Sequence, residues 1–223
     1  MNRCKAVKKA RRLSNSLIGK GVSGVKVGIL AVQGDYEAHA ATLERLGVPH
    51  RFVRAVGDLV GCDALILPGG ESTTQLQFLQ EDGLFAAIRD FAAGRPIFGT
   101  CAGAILLARE VKHPQQASLG LLDTTVLRNG YGRQIASEVA KGACKLKAEP
   151  LEMVFIRAPV LERVGRGVEV LAECTGRPVL VRQGNVLAAT FHPELAADTT
   201  VHRYFLDMAA DPDHGAARAA EMS

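Results

Sequence analysis

A cysteine at position 101 lies where the sequence predicts that a strand turns sharply into a helix. The run Gly-Thr-Cys-Ala-Gly at residues 99–103 follows a short apolar run at 95–98 and precedes a helical pattern at 104–108. Small residues around a central nucleophile permit the strained turn of a nucleophile elbow, here with cysteine in place of serine. The start of a helix beneath the thiol favours negative charge, and therefore the thiolate. We predict that Cys101 is a nucleophile; the alternative is a small buried thiol that only packs in the corner.

A base for this thiol is predicted at residues 192–194, where His-Pro-Glu ends the apolar run 186–191. If that segment stays extended, side chains two residues apart point to the same side, so His192 and Glu194 can meet. A carboxylate on one imidazole nitrogen fixes the tautomer and leaves the other nitrogen to face the thiol. A lone histidine would more simply be a satisfied core or surface residue. Together with the elbow, the pair predicts a Cys-His-Glu triad.

Six segments of the chain, in this order, carry a wider resemblance: residues 27–35, 65–74, 96–103, 128–134, 154–159 and 190–194. They resemble class I (triad-type) glutamine amidotransferases, and more closely the glutaminase subunits of pyridoxal 5′-phosphate synthases. Many amidotransferases share the cysteine and His-Pro-Glu segments. The Pro-Gly-Gly-Glu-Ser-Thr-Thr, Phe-Ile-Arg-Ala-Pro and early Gln-Gly-Asp segments are more particular to this subunit. The resemblance spans about residues 25–208.

The resemblance implies roles for individual residues. It implies that Cys101, His192 and Glu194 are the catalytic triad. It also implies that the loop at Gly70 and the N–H of Ala102 together form the oxyanion hole. It also implies a set of residues that hold the substrate glutamine: Gly70, Glu71, Ser72, Arg128, Ile156 and Arg157. An arginine beside an apolar strand suits an α-carboxylate, which it can bind with two parallel hydrogen bonds. Two alternatives stay open: the loop is only a strand-to-helix turn with Ser72 as N-cap, and either arginine is a solvated salt-bridge partner.

The resemblance further implies a hydrolase that releases ammonia from L-glutamine for a separate synthase subunit. That partner is expected to be a dodecameric ring of barrels with one glutaminase docked per barrel. No cofactor or metal is expected. The chain departs from the family pattern after residues 132–134, because Ser137 is followed directly by Glu138 without the usual phenylalanine. The alternatives are an amidotransferase of another pathway, a catalytically idle binding module, or a hydrolase of peptides.

Composition agrees with a soluble enzyme domain, and the cysteine pattern favours a reducing compartment. Among 223 residues, 27 are basic and 23 acidic, but seven basic residues and no acidic ones lie in residues 1–24. The remainder is mildly acidic, which argues against nucleic-acid binding, and no apolar run approaches the ~18–20 residues that span a membrane. Five scattered cysteines form no C-x-x-C pair, which argues against a disulfide framework or a zinc site and favours the cytoplasm. His39, His50, His113, His202 and His214 show no metal-ligand spacing, and the sequence assigns them no role.

Alternating strands and helices predict how these residues are positioned. Buried strands are predicted near 25–32, 63–67 and 96–99, with helices near 36–46, 73–80, 84–93 and 102–110. Later strands near 168–172, 178–182 and 185–190 are separated by short turns, with a hairpin at 183–185, before a helix near 198–210. The predicted fold is α/β, a mostly parallel sheet with antiparallel additions; by resemblance it is the flavodoxin-like three-layer sandwich of class I glutamine amidotransferases. We predict a basic, disordered extension at 1–24, one glutaminase domain at 25–210 and a fraying tail at 211–223.

Overall fold

The computed structural model describes residues 24–81, 83–128 and 137–210. The predicted basic extension, except for its last residue, and the predicted tail lie outside these ranges. So do residues 129–134 of the resembling segment at 128–134.

Strands and helices alternate through the first half, and strands dominate the second half. The strands are β1 (Val27–Leu30), β2 (His50–Val53), β3 (Ala64–Leu67), β4 (Ile97–Thr100), β5 (Ala108–Lys112), β6 (Leu122–Leu127), β7 (Ser137–Gly142), β8 (Leu151–Ile156), β9 (Val160–Val164), β10 (Glu169–Cys174), β11 (Arg177–Gln183) and β12 (Val186–Ala189). The α-helices are α1 (Tyr36–Arg45), α2 (Ser72–Glu81), α3 (Leu84–Ala92), α4 (Ala102–Leu107) and α5 (Thr200–Ala210), with short 3-10 turns at Val56–Leu59 and Pro193–Leu195. In the described ranges, no helix combines the length and the hydrophobicity needed to cross a bilayer.

A seven-stranded sheet in the order β10-β11-β12-β4-β3-β1-β2 forms the centre of the molecule. The five strands from β12 to β2 are parallel, whereas β10 and β11 join antiparallel at one edge. The β11–β12 hairpin turns at Gly184, whose φ of +57° suits glycine. The predicted α/β sheet with antiparallel additions is therefore confirmed, as is the hairpin.

Apolar cores lie on both faces of this sheet. The strands β1, β3, β4 and β12 are buried along their whole length. Because successive side chains point to opposite faces, Ile29 and Ile66 join the core beneath α1 and α5, whereas Leu30 and Leu67 join the core beneath α2, α3 and α4. The result is the three-layer arrangement that continuous apolar strands require.

Several predictions of local structure are wrong. The helix expected at 102–110 ends at Leu107, and residues 108–112 form β5. The last carbonyl groups of this helix accept hydrogen bonds from a loop that returns to it. The carbonyl of Leu106 accepts from the N–H of Leu119, and that of Leu107 accepts from the N–H of Leu121. This tertiary pairing overrides the helical preference of the apolar run. The sequence analysis also missed five strands, in each of which at least one charged residue interrupts the apolar run: β2, β6, β7, β8 and β9.

Two glycines allow α4 to start directly against β3 and β4. A Cβ at Gly103 would lie 2.0 Å from the carbonyl oxygen of Leu67, and one at Gly99 would lie 2.5 Å from the carbonyl carbon of Gly103. Neither neighbour is the movable end of a side chain, since both are backbone atoms. The turn that carries Cys101 therefore depends on the absence of a side chain at Gly99 and Gly103.

We expect Gly103→Ala to reduce the free energy of unfolding by at least about 2 kcal/mol, because the backbone must move to admit the methyl group. Gly94→Ala is the matched control, since no atom lies within 4 Å of the position that a Cβ would take there. Its effect should stay within about 0.5 kcal/mol. Urea unfolding of the two variants measures both values, and equal stabilities would contradict the close approach.

Candidate active site

The loops that follow four parallel strands of the seven-stranded sheet meet at the edge formed by the carboxyl ends of these strands. These strands are β1, β3, β4 and β12, and α/β proteins place their sites at the carboxyl ends of such strands. Backbone hydrogen bonds join the loops: Asp35 N donates to Gly69 O over 3.0 Å, and Cys101 N donates to Ala189 O over 2.9 Å. Four of the six segments that carry the resemblance, 27–35, 65–74, 96–103 and 190–194, therefore share one location.

Cys101 has a backbone conformation that residues with a side chain rarely adopt. Its φ is +47° and its ψ is −101°, at the abrupt turn from β4 into α4 that the sequence predicts. Such strain persists where the surrounding structure enforces it, and it is concentrated at functional sites. The residue is 7% exposed, and its Sγ lies 3.8 Å from the carbonyl oxygen of Ile156. The fold thus holds the thiol in a fixed place.

His192 and Glu194 meet, although not in the way that the sequence predicts. Nδ1 of His192 lies 2.7 Å from Oε1 of Glu194, and both residues are buried. The expected extended segment is wrong, because Pro193–Leu195 is a 3-10 turn that begins just after His192. Proline at the first position of the turn has the φ that the turn needs. The turn therefore brings the carboxylate back to the ring of the preceding histidine.

The charges of this pair stabilise each other. Burial opposes protonation of His192, but the nearby Cys101 thiol and the hydrogen-bonded carboxylate of Glu194 outweigh it and raise the pKa of His192 to about 10. Burial likewise opposes ionisation of Glu194, but the nearby His39 and the bonded His192 hold the pKa of Glu194 below its ordinary value. The site therefore favours an imidazolium between a carboxylate and the thiol of Cys101.

The glycine loop after β3 packs its backbone against this histidine. A Cβ at Gly69 would lie 2.3 Å from Cε1 of His192. A Cβ at Gly70 would lie 2.5 Å from Oε1 of Gln33, the same oxygen that accepts a 2.7 Å hydrogen bond from Glu71 N. The glycine loop thus lies between the loop after β1 and the imidazole of His192, and there is no room for a side chain at Gly69 or Gly70.

Glu71, and not Ser72, caps the helix that follows. Its carboxylate accepts hydrogen bonds from the backbone N–H groups of Thr73 at 3.1 Å and Thr74 at 2.7 Å, so the alternative in which Ser72 is the N-cap is wrong. Burial opposes ionisation of Glu71, but hydrogen bonds from Thr74 and Thr73 outweigh it and lower the pKa of Glu71 to about 2. Ser72 is buried, and its hydroxyl donates to Oε1 of Gln116 over 3.1 Å.

The two predicted arginines have different surroundings. Arg128 pairs with the Glu71 carboxylate at 3.0 Å and donates to Oγ1 of Thr73 at 2.9 Å, which is the salt bridge that the sequence left open. Arg157 is exposed and follows Ile156 with a φ of +45°, a second strained position at this edge. Ala102, the first residue of α4, follows the nucleophile directly.

Two histidines without an assigned role lie behind Glu194. Nε2 of His39 lies 3.5 Å from Oε2 of Glu194 and 3.1 Å from Oγ1 of Thr100, while Nδ1 of His39 lies 3.1 Å from Nε2 of His202. Both histidines are fully buried. Each lies on the apolar face of its helix, α1 or α5, which is a sign of burial in the sequence. Only the fold shows that the two helices bring them together.

One group of described residues has the donor atoms of a metal site. Ligand atoms of Asp35, His192 and Glu194 lie within 4.8 Å of one another. Nδ1 of His192 is already hydrogen-bonded to Glu194, and its distance to Oδ2 of Asp35 is 3.7 Å. Hydrogen bonding and charge attraction explain this cluster without a metal ion.

Comparison with known proteins gives a consistent assignment. The model of the SNO glutamine amidotransferase family matches residues 29–211. The pyridoxal 5′-phosphate synthase subunit PdxT of Koribacter versatilis is 52% identical over 191 residues, which cover 86% of this chain and 99% of that protein. The subunit of the same name from Thermus thermophilus is 52% identical over 189 residues, which cover 82% of this chain and 97% of that protein.

Solved structures confirm the fold. A crystal structure of a glutamine amidotransferase is 47% identical, with a TM-score of 0.79, and the match covers 83% of this chain and 99% of that chain. A putative GMP synthase subunit from Thermoplasma acidophilum is 16% identical, with a TM-score of 0.63, over 89% of this chain and 98% of that chain. The latter similarity concerns the fold alone. The predicted class I glutamine amidotransferase-like sandwich is confirmed.

His202 should make stability depend on pH. Burial, followed by the neighbouring His39, lowers the pKa of His202 to about 3, so the unfolded chain binds a proton that the folded chain does not between pH 6.5 and about 3. Stability from this group is therefore lost as pH falls below 6.5. From pH 7 to pH 5 we expect the wild type to lose about 2 kcal/mol more than His202→Gln, measured by urea unfolding.

The control for this experiment is Thr124→Val, which changes another buried polar residue without removing a titratable group. Its stability should follow the wild-type pH dependence. A His202→Gln variant that also follows the wild type would show that His202 does not titrate as its burial requires.

Proposed function

The chain belongs to the SNO glutamine amidotransferase family, and from that premise we propose that it is the glutaminase subunit of a pyridoxal 5′-phosphate synthase. In this role it hydrolyses L-glutamine to L-glutamate and passes the ammonia to the synthase subunit. The observation that carries the proposal is a strained cysteine at the end of β4, beside a histidine held by a buried glutamate. The names of the relatives supply the pathway.

In the first half of the reaction, the Cys101 thiolate attacks the side-chain amide carbon of glutamine. A tetrahedral intermediate forms, with negative charge on the former carbonyl oxygen. We propose that the N–H of Ala102 and the loop at Gly70 stabilise this oxyanion, since the first N–H groups of a helix have no partner within it. His192, which is held as the imidazolium by Glu194, donates a proton to the leaving nitrogen. Ammonia leaves and a thioester remains on Cys101.

In the second half, His192 acts in the opposite direction. The imidazole, now neutral, takes a proton from a water molecule as that water attacks the thioester carbonyl. The second tetrahedral intermediate collapses with release of the Cys101 thiolate, and the proton taken from water remains on His192. The new γ-carboxyl group loses its own proton to solvent, which gives glutamate. Glu194 fixes the ring in the orientation that both steps need.

We propose that the substrate glutamine is held by Gly70, Glu71, Ser72, Arg128, Ile156 and Arg157. The geometry supports different roles for the two arginines. The guanidinium of Arg128 is engaged by Glu71, so we propose that Arg128 acts through that loop. Arg157 follows Ile156, whose carbonyl faces Cys101, and its exposed guanidinium suits the α-carboxylate of glutamine.

The partner that we propose is a synthase subunit assembled as a dodecameric ring of barrels, with one glutaminase docked per barrel. The names of the relatives support a synthase partner, and the ring is the finer part of the proposal. Sedimentation of the mixed subunits measures the stoichiometry. We also propose a cytoplasmic location, which is supported by free thiols at the four described cysteines, Cys62, Cys101, Cys144 and Cys174.

Glutaminase activity measured with and without the synthase subunit tests the proposed function. We expect glutamate release that increases when the partner is added, and its loss in Cys101→Ala, because this variant has no nucleophile. High activity of the isolated chain with no response to the partner would refute the pathway assignment but not the proposed catalytic triad. Full glutamine-dependent synthesis by Cys101→Ala would show that the chain only binds.

Arg157→Gln should raise the KM for glutamine and lower kcat/KM about 10- to 100-fold, because a charge-assisted hydrogen bond to the substrate is worth roughly 1.5–3 kcal/mol. The matched control is Arg163→Gln, which removes an exposed arginine on β9 that pairs with Asp123 on the neighbouring strand β6. Steady-state kinetics of the complex should show the control within twofold of the wild type. An Arg157→Gln variant with unchanged KM would refute the contact with the α-carboxylate.

A further inference from the structure

The carboxylate of Glu194 has two oxygen atoms, and the proposed mechanism uses only one of them. Oε1 lies 2.7 Å from Nδ1 of His192. Oε2 is equally buried and has no regular hydrogen bond among the described residues, and the polar group facing it is Nε2 of His39, 3.5 Å away. The same nitrogen lies 3.1 Å from Oγ1 of Thr100, the residue before the nucleophile. His39 thus lies against both the acid of the triad and the strand that carries Cys101.

Hydrogen-bond partners determine which nitrogens carry protons in this chain of histidines. If His39 carried its proton on Nδ1, a lone pair on Nε2 would face the Glu194 carboxylate. His202 would then have to accept at Nε2 and carry its proton on Nδ1, an atom that is buried without a partner. The opposite assignment has neither fault: His202 donates from Nε2 to Nδ1 of His39, and His39 directs Nε2–H to Thr100 and Glu194. We assign the tautomers in this second way.

We propose that His39 is a positioning residue, which directs Nε2–H at Oε2 of Glu194 so that the acid of the triad is held between two imidazoles, with His202 fixing the tautomer of His39. The inference deepens the proposed glutaminase function and rests on it for its catalytic meaning. No sequence motif points to it, because His39, Thr100 and His202 come from three separate elements.

A second donor matters because a buried carboxylate with one partner readily takes up a proton. A protonated Glu194 no longer stabilises the imidazolium of His192, and the thiolate of Cys101 then loses its counter-charge. His39 can meet this need as a neutral donor: burial lowers the pKa of His39, despite the charge of Glu194. It therefore directs a neutral N–H group at Oε2 of Glu194 without cancelling the negative charge that His192 requires.

The other charged groups around this core are few in the described residues. Asp35 approaches His192 from the exposed side, with Oδ2 at 3.7 Å from Nδ1, so it also favours the imidazolium. Burial is the main cause that lowers the pKa of His202, and the positive charge of Arg45 adds a smaller effect in the same direction. Neither group bonds to Oε2 of Glu194, so His39 is the contact that a substitution can test.

The experiment compares three substitutions at one position in the complex with the synthase subunit. The amide nitrogen of glutamine can occupy the place of Nε2, whereas that of asparagine lies nearer Nδ1. We expect His39→Leu and His39→Asn to lower kcat about 10- to 100-fold with little change in KM, and His39→Gln to recover most of the loss. His50→Leu is the control, because it removes a histidine from the amino end of β2, opposite the site.

A second readout separates positioning from packing and does not need turnover. We measure the rate of Cys101 alkylation by iodoacetamide as a function of pH in the isolated chain. In His39→Leu and His39→Asn the midpoint of the profile should rise by about one pH unit, because the imidazolium that stabilises the thiolate is weakened. In His39→Gln and His50→Leu it should match the wild type.

The outcomes distinguish this inference from the proposed function. A wild-type complex that releases no glutamate refutes the function, and the alkylation profiles still support or refute the positioning of Glu194. An active wild type with equal losses in all three His39 variants, and unshifted profiles, overturns the inference and makes His39 a packing residue. Thermal unfolding identifies a variant that fails to fold. If His39→Leu does so, the comparison of His39→Gln with His39→Asn decides between a positioning and a packing role of His39.

Discussion

Burial of the Glu194 carboxylate is the constraint on which the rest of the site depends. An ionised carboxylate removed from water loses several kcal/mol of hydration unless partners compensate for it. Glu194 is 5% exposed, with His192 on one oxygen and His39 near the other. Because the acid is fixed, the plane of the His192 ring is fixed as well, and that ring leaves no room for a side chain at Gly69. The glycine at position 69, in the loop after β3, is therefore partly a consequence of the buried acid.

The same constraint links the two helices on one face of the sheet to the chemistry at its edge. The helices α1 and α5 pack on the core that contains Ile29, Ile66 and Phe98. Each presents a histidine within that core, where apolar side chains would satisfy packing alone. A buried polar chain is tolerated only when its donors find acceptors, and here the Glu194 carboxylate is the acceptor at its end. The packing of the helices and the charge state of the site thus depend on each other.

The sequence predicts the residues of the candidate site better than their surroundings. The elbow at Cys101 and the parallel strands follow from local spacing, because small residues and continuous apolar runs have few structural solutions. The contact of His192 with Glu194 is also anticipated, but through an extended segment where the structure has a 3-10 turn. The cap is Glu71 and not Ser72, since the longer side chain reaches back to two N–H groups. His39 and His202 carry no signal beyond burial, because their meeting depends on how two helices pack.

Strain and charge at this edge act together. Cys101 and Arg157 both have positive φ, and the carbonyl of Ile156 lies between them, 3.8 Å from Sγ. A conformation of this kind costs of order 1–3 kcal/mol, so the surrounding contacts must hold it. On the outer side, Arg128 and Glu71 tie the loop to the start of α2, and on the inner side Glu194 and His39 hold His192. Groups fixed before the substrate arrives need no reorganisation when charge develops on the amide oxygen, which is why a rigid edge favours this reaction.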